Sequence, residues 1–351
     1  MVECKMHLRE KLMKRNLTLI TIICFLWLLL LASMAYSRTW HVRQDGSGDA
    51  ASINAALMLA QSGDTILVSP GYYWEPRIGL SQFAIHLISE GGPEVTTIRL
   101  LRRSEDEVNV IKMLNVSEPC SVIGFTITGA NGGFLDIGGG IDCENSALVI
   151  KNNIITGNWC STGGAIYCYG ATSPTIENNL IYGNEEIVGG AVDIVDCSPL
   201  VKNNTIAHNW ATDGTSGLCI IGSLSHPIIM NNIIAFDSSS VSGGVGVSAT
   251  TPAIQIVFEC NDVWGNAPAN YAGTLTDQTG INGNISQDPL FCGISGSGNY
   301  YLRGSSPCAE SNVPQHCAGV RMGYYPVKCT VGTENESWGK LKALFERGRK
   351  R

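Results

Sequence analysis

A phrase recurs about every 25 residues through the middle of this chain: a Gly-Gly pair, a short apolar stretch, an Asn-Asn pair, a second apolar pair and a Gly-Asn-like turn. It reads LVIKNNIITGN around Asn152 and Asn153, PTIENNLIYGN around Asn178 and Asn179, PLVKNNTIAHN around Asn203 and Asn204, and PIIMNNIIAFD around Asn231 and Asn232. A degenerate copy, VFECNDVWGN, surrounds Asn261. Self-similarity at this period specifies a solenoid, in which each unit buries its apolar face only by stacking on its neighbours. The 351 residues could hold two ordinary domains, but a repeat through most of them implies one elongated domain with caps. The 40 glycines and 15% charged residues suit many short strands joined by tight turns.

Aligned on the glycine pairs, the copies show which side chains stack. Strands of adjacent coils lie about 4.8 Å apart and point alternate residues inward and outward. The first inward column is Ile141, Ile166, Val192, Leu218 and Val245; the second is Cys143, Cys168, Ile194, Ile220 and Val247. Asp142, Tyr167, Asp193, Cys219 and Gly246 fall between them, facing outward. One Asn of each pair suits a left-handed turn, and the other can stack its amide on the Asn above and below. Lys151, Glu177 and Lys202 form an outward column of alternating sign.

This pattern resembles the right-handed parallel β-helix of the pectin-lyase-like superfamily, with three strands per coil and asparagine ladders. The resemblance runs from about Trp40 to Cys329 and implies an all-β solenoid of about nine coils. The entry segment, VRQDGSGDAASINAALMLAQSGDTILVSPGYYWE, is similar to the start of pectin methylesterases. Within it Ile53, Ala56, Leu57 and Ala60 form one apolar helix stripe, N-capped by Asp49 or Ser52, that plugs the open end of the core. Strand Thr65 to Val68 then opens the first coil. The segment QDPLFCGISGSGNYYLRGSSPCAE followed by CAGVRMGYYPVKC resembles the closing segment of secreted bacterial β-helix repeat proteins. Cys292, Cys308, Cys317 and Cys329 there suggest a stapled cap, although four cysteines allow three pairings.

The expected organisation is a signal peptide at 1–35, an N-terminal strand and capping helix at 36–62, coils at 63–291, a Cys-rich cap at 292–330 and a basic amphipathic tail at 331–351. Lys11, Lys14 and Arg15 precede an apolar run from Leu17 to Ala32, and Ser33-Met34-Ala35 forms a small-x-small cleavage signal. The alternative is an uncleaved anchor. Either way the body is expected outside the cell, secreted or on the surface. Of 13 cysteines, Cys4 and Cys24 lie in the leader; 11 remain, so at least one thiol should be free. Residues 36–332 carry 12 Lys/Arg against 25 Asp/Glu. Such an acidic body argues against nucleic acid as a partner. Membrane contact is expected only through the leader or the basic tail, and the solenoid is expected to be a monomer.

Three chemistries can be tested against the residues. Gly71-Tyr72-Tyr73-Trp74-Glu75 fits an early pectin methylesterase phrase, but the Gln-Asp-Thr and Asp-Phe-Ile-Phe-Gly segments that supply that family's acid and nucleophile are absent. Polysaccharide β-elimination, as in pectate-lyase-like enzymes, uses an Arg or Lys base with calcium. From Met113 to Leu302 the only bases are Lys151 and Lys202, among 15 acidic residues. Bound calcium is possible through oxygen ligands, but no spacing specifies a site, and no other cofactor or metal is expected. For glycoside hydrolysis the best pair is Asp142 and Asp193, two coils and about 10 Å apart at the backbone; an inverting mechanism needs its carboxyls roughly 6.5–9.5 Å apart.

Binding without catalysis has simpler requirements. Trp159 and Trp210 occupy one turn position two coils apart, after Asn158 and Asn209, and Tyr167, Tyr169, Tyr182 and His208 belong to the same coils. Aromatic faces beside Asp and Asn are what sugar rings stack on and hydrogen-bond to. The expected function is therefore engagement of an extracellular or cell-wall polysaccharide, by binding or display, through Trp159, Tyr167, Tyr169 and Trp210. The alternative is a polysaccharide lyase or an inverting glycoside hydrolase using Asp142 and Asp193.

Overall fold

The computed structural model describes residues 13–18, 20–21, 37–104, 107–133, 137–240, 245–251, 255–293 and 299–329. The chain divides into two compact units, Met1–Arg38 and Thr39–Arg351. In the first, residues 13–18 and 20–21 are helical. No helix among the described residues is long and apolar enough to cross a membrane. The cleavage signal and the basic tail lie outside the described residues.

The second unit is a right-handed parallel β-solenoid. Each coil sends one strand to each of three parallel sheets. Sheet A has nine strands, from Thr39–Val42 to Val257–Glu259; sheet B has eight, from Gly71–Glu75 to Asp262–Trp264; sheet C has eight, from Ile78–Ser81 to Ala269–Gly273. Sheet A stacks Ile66, Leu87, Val122, Ile150, Ile176, Val201, Ile229 and Phe258 in one inward column. Sheet B stacks Tyr73, Ile98, Ile127, Ile155, Ile181, Ile206, Ile234 and Val263. These columns are almost wholly shielded from water and, with the inner side chains of sheet C, form one continuous core. β-branched residues predominate because the pleat favours them and each packs on its counterpart one coil away.

There are about 11 turns, slightly more than the nine expected. Irregular turns near the end account for part of the difference: Ile285 extends sheet B beyond Asp262 by a single bridge. The expected helix spans Ile53–Leu57, with Ser52 as N-cap accepting from the Ala55 amide at 3.2 Å. Glu75, the last residue of the Gly-Tyr-Tyr-Trp-Glu phrase, is buried and reaches that same helix start. Its Oε1 accepts from the Ile53 amide at 2.6 Å and its Oε2 from the Asn54 side chain at 2.9 Å. The phrase therefore serves the cap.

Each Asn-Asn pair divides its labour as expected. Asn152, Asn178, Asn203 and Asn231 have φ of 53–57°. The second residues, Asn153, Asn179, Asn204, Asn232, Asn261 and Asn284, form a buried ladder. The Asn179 side-chain oxygen accepts from the Asn153 amide at 3.0 Å, while its Nδ2 donates to Ile150 O at 2.9 Å and Asn204 Oδ1 at 3.0 Å. A second ladder was not expected: Asn158, Asn184, Asn209, Asp237 and Asn266 repeat the same bonding at the next corner. Its signal was present in the Gly-Asn, His-Asn and Phe-Asp dipeptides that close each repeat.

Corrections concern the fifth copy and the cysteines. Leu218 pairs with Val247, Cys219 with Ser248 and Ile220 with Ala249, so the strand lies two residues from the alignment on glycine pairs; the register shifts between Thr215 and Leu218. The coil is longer there, and a bulge absorbs the excess. Of the four clustered cysteines only Cys292 and Cys329 bond to each other; Cys317 bonds to Cys260, in the last coils. Cys308 stays a buried thiol, its Sγ 3.1 Å from Asp262 Oδ2. Seven cysteines among the described residues are buried and not disulfide-bonded, Cys143 and Cys168 among them.

Candidate functional site

The outer surface beside sheet C is set by a short fourth sheet. Sheet D comprises Trp159–Cys160, Glu185–Val188, Trp210–Asp213 and Ser238–Ser239, each inserted between a sheet B strand and a sheet C strand. The chain then turns into sheet C through glycines at positive φ, Gly163 and Gly189, and Gly138 makes the same turn in the coil before, which meets sheet D only by isolated bridges. At these glycines the backbone lies against the column of Asp142, Tyr167 and Asp193. A Cβ on Gly163 would stand 2.9 Å from the Tyr167 Cβ, and one on Gly189 would stand 2.3 Å from Asp193 Oδ2.

This packing buries the column even though it faces outward. Asp142, Tyr167, Asp193 and Cys219 do pair in the expected register on the outer face, yet their exposures are 1%, 9%, 0% and 4%. Asp193 Oδ1 accepts from the Gly190 amide at 2.7 Å. Burial pushes its pKa well above the usual carboxylate range, with the Gly190 and Gly163 amides opposing. Asp142 Oδ2 is held by Lys112 Nζ at 2.6 Å, and the same ammonium holds Glu144 Oε1 at 2.6 Å. Burial raises the Asp142 carboxyl to about 7 against the opposing pull of Lys112. Burial lowers the Lys112 pKa, but the hydrogen bonds and charges of Asp142 and Glu144 outweigh it and leave the ammonium above the ordinary lysine range. Lys112 stands one residue before the stretch from Met113 to Leu302, in which Lys151 and Lys202 are the only Lys or Arg residues. Of the two tyrosines, Tyr169 is exposed and stacks on Tyr167 at 6.4 Å between centroids.

Sheet D carries the accessible groups. Trp159 pairs with Glu185, and Glu185 with Trp210. The two tryptophans thus share one column, as their common turn position implied, with a carboxylate between them. Trp159 is half-buried, while Glu185 and Trp210 are exposed. Val188 and Asp213 pair on the same strands and are also exposed. Glu185 was not singled out from sequence; its place between two aligned tryptophans was the available signal.

The neighbouring residue, Glu186, points the other way. It is fully buried between Cys160 and Ala211, and neither carboxyl oxygen has a hydrogen-bond partner among the described residues. Gly164 makes the room, since a Cβ there would stand 2.5 Å from Glu186 Oε2. Burial, then the charges of Asp193 and Asp237, push the Glu186 pKa well up. No group of three or more His, Cys, Asp or Glu among the described residues could hold a metal ion. His208, standing where other coils have glycine, stacks on Phe236 at 5.0 Å between centroids and contacts the Tyr300 hydroxyl at 3.1 Å. Away from the ridge, a cleft of about 480 Å³ lies between Glu94, Tyr301, Tyr325, Lys328 and the Cys292–Cys329 bridge.

Comparison with solved structures returns pectin-active β-helix proteins. Pectate lyase Pel9A matches at 11% identity and a TM-score of 0.43, over 85% of this chain and 98% of its own. A pectin methylesterase solved with a hexasaccharide matches at 11% identity and 0.35, over 73% of this chain and 93% of its own. The pectin methylesterase from Aspergillus niger matches at 15% and 0.34, over 72% and 90%. No curated protein matches by sequence. The family profile described as the right handed beta helix region matches residues 109–306, more than half of the chain and all of the Asn-Asn repeats. The chain therefore belongs to the right-handed β-helix family.

Proposed function

We propose that this protein is an extracellular β-helix that binds a polysaccharide along the ridge of sheet D without cleaving it. The observation that carries the reading is the column Trp159, Glu185 and Trp210, two indoles and a carboxylate in register on an exposed edge of the solenoid. Indole faces stack on sugar rings, and carboxylates accept from their hydroxyls. The two disulfides support an extracellular setting. Burial of Asp193 speaks against cleavage, because an inverting hydrolase needs both carboxyls open to substrate or water.

A second reading, catalysis around Asp142, is favoured by one observation: a carboxyl raised to about 7 beside Lys112, Glu144 and the exposed Tyr169. Against β-elimination, a lysine held protonated by two carboxylates is a poor general base. The test is incubation of the purified chain with neutral, acidic and amine-bearing polysaccharides, with and without calcium. Retention, new reducing ends and unsaturated products are followed together. The binding reading expects retention on at least one polymer, lost in Trp159→Ala and Trp210→Ala, and no product. Product formation abolished by Asp142→Asn would replace it with the enzyme reading, and retention on none would end it.

A further inference from the structure

We infer that the sheet D ridge is a site for an ammonium group, so that the polymer it takes carries free amines on its sugar rings. This rests on the reading of the ridge as a polysaccharide surface and names the chemical class of its ligand. Two strand spacings separate the Trp159 and Trp210 backbones, about 10 Å in all, with the Glu185 strand midway. A carboxylate flanked by two aromatic side chains offers an ammonium both a charge-assisted hydrogen bond and cation–π attraction.

No ion pair to Glu185 forms among the described residues, and the Trp210 strand ends in a second exposed carboxylate, Asp213, three positions beyond Glu185's partner Trp210. Arg102 donates to Asn131 O at 3.0 Å on the segment bridged to Trp159, one strand further from Glu185, and the lysines are engaged elsewhere. Lys112 is held by Asp142 and Glu144, and Lys151 bonds to Glu177 at 3.0 Å on sheet A. Lys202 stands in that same sheet A column. A polyuronate would therefore meet like charge at short range, where screening by salt is weakest. A neutral chain lying across both indoles would strip water from Glu185 and return only hydroxyl hydrogen bonds, whereas an ammonium pairs the covered charge.

The test measures the affinity of the purified chain for three soluble oligomers at mildly acid pH, in low and high salt: a glucosamine oligomer, its fully N-acetylated counterpart and a galacturonate oligomer. The glucosamine oligomer should bind about tenfold or more tightly than the other two, a difference of about 1.4 kcal/mol, and weaken with salt. Glu185→Gln, an exposed isosteric change, should erase that preference. Equal binding of the acetylated oligomer, or an unchanged preference in Glu185→Gln, would overturn the ammonium inference and leave the ridge standing. Undiminished glucosamine binding in Trp159→Ala and Trp210→Ala would instead overturn the ridge reading. Failure of the wild-type chain to bind the glucosamine oligomer would also sink the inference.

Discussion

Asp237 interrupts a ladder of asparagines, and its chemistry shows what the position demands. Its Oδ1 accepts from the Asn209 amide at 2.8 Å and from Asn209 Nδ2 at 2.9 Å, as an asparagine oxygen does in the other coils. Its Oδ2 stands where those coils place an Nδ2 donor, and it has no partner among the described residues. Burial raises its pKa to about 8, against the pull of Asn209, so the carboxyl is mostly protonated at neutral pH. The folded pKa lies above the unfolded value of about 3.9. The contribution of this group is therefore full below pH 4 and is lost as pH rises through about 8. Asp237→Asn should stabilise the chain at pH 7 by roughly 2–4 kcal/mol, less at pH 5, because each pKa unit is about 1.4 kcal/mol. Thermal denaturation across pH checks this; equal stability of the two chains at pH 5 and pH 8 would refute it.

The elements depend on shared corners more than on single strands. Asn179 joins three coils, and Asn179→Ala would leave the Asn153 amide buried without its acceptor and strip the Ile150 carbonyl of its side-chain donor. A loss of about 3 kcal/mol is expected in denaturant titration, since each such orphan costs about 1–3 kcal/mol. Gly189 has φ of 108° and no room for a Cβ beside Asp193, so Gly189→Ala should cost about 1–3 kcal/mol. Glu75→Ala should cost a similar amount by exposing the amides of the capping helix. It should leave polysaccharide retention unchanged, which separates its part in the cap from any part in chemistry. A loss of retention at full stability would contradict that assignment.

For the whole molecule, the inward columns and the N-terminal cap were legible because each repeats a local period of apolar side chains. Ile141, Ile166, Val192 and Leu218 stack where the repeats placed them. The burial of Asp142 and Asp193 was not legible. It comes from glycine backbones of sheet D turns crossing the outer face, and a glycine advertises freedom without saying what it lies against. Nor was the Cys260–Cys317 bond legible, since alternation along a strand carries no pairing information. Asp142, Glu186, Asp193, Asp237 and Asp262 all have folded pKa values raised by burial. Together they predict a chain that loses stability from about pH 4 to pH 8, with a smaller loss in Asp237→Asn. A melting temperature that rises over that range would contradict this account of the buried carboxyls.

The most direct measurement is carboxyl footprinting with a water-soluble carbodiimide, read by mass spectrometry, with and without a bound polysaccharide. In the free chain Glu185 and Asp213 should label and Glu186 and Asp193 should not, and polymer should protect Glu185. Protection of Glu94 at the cleft beside Tyr325, with Glu185 still labelled, would move binding off the ridge and contradict the central claim.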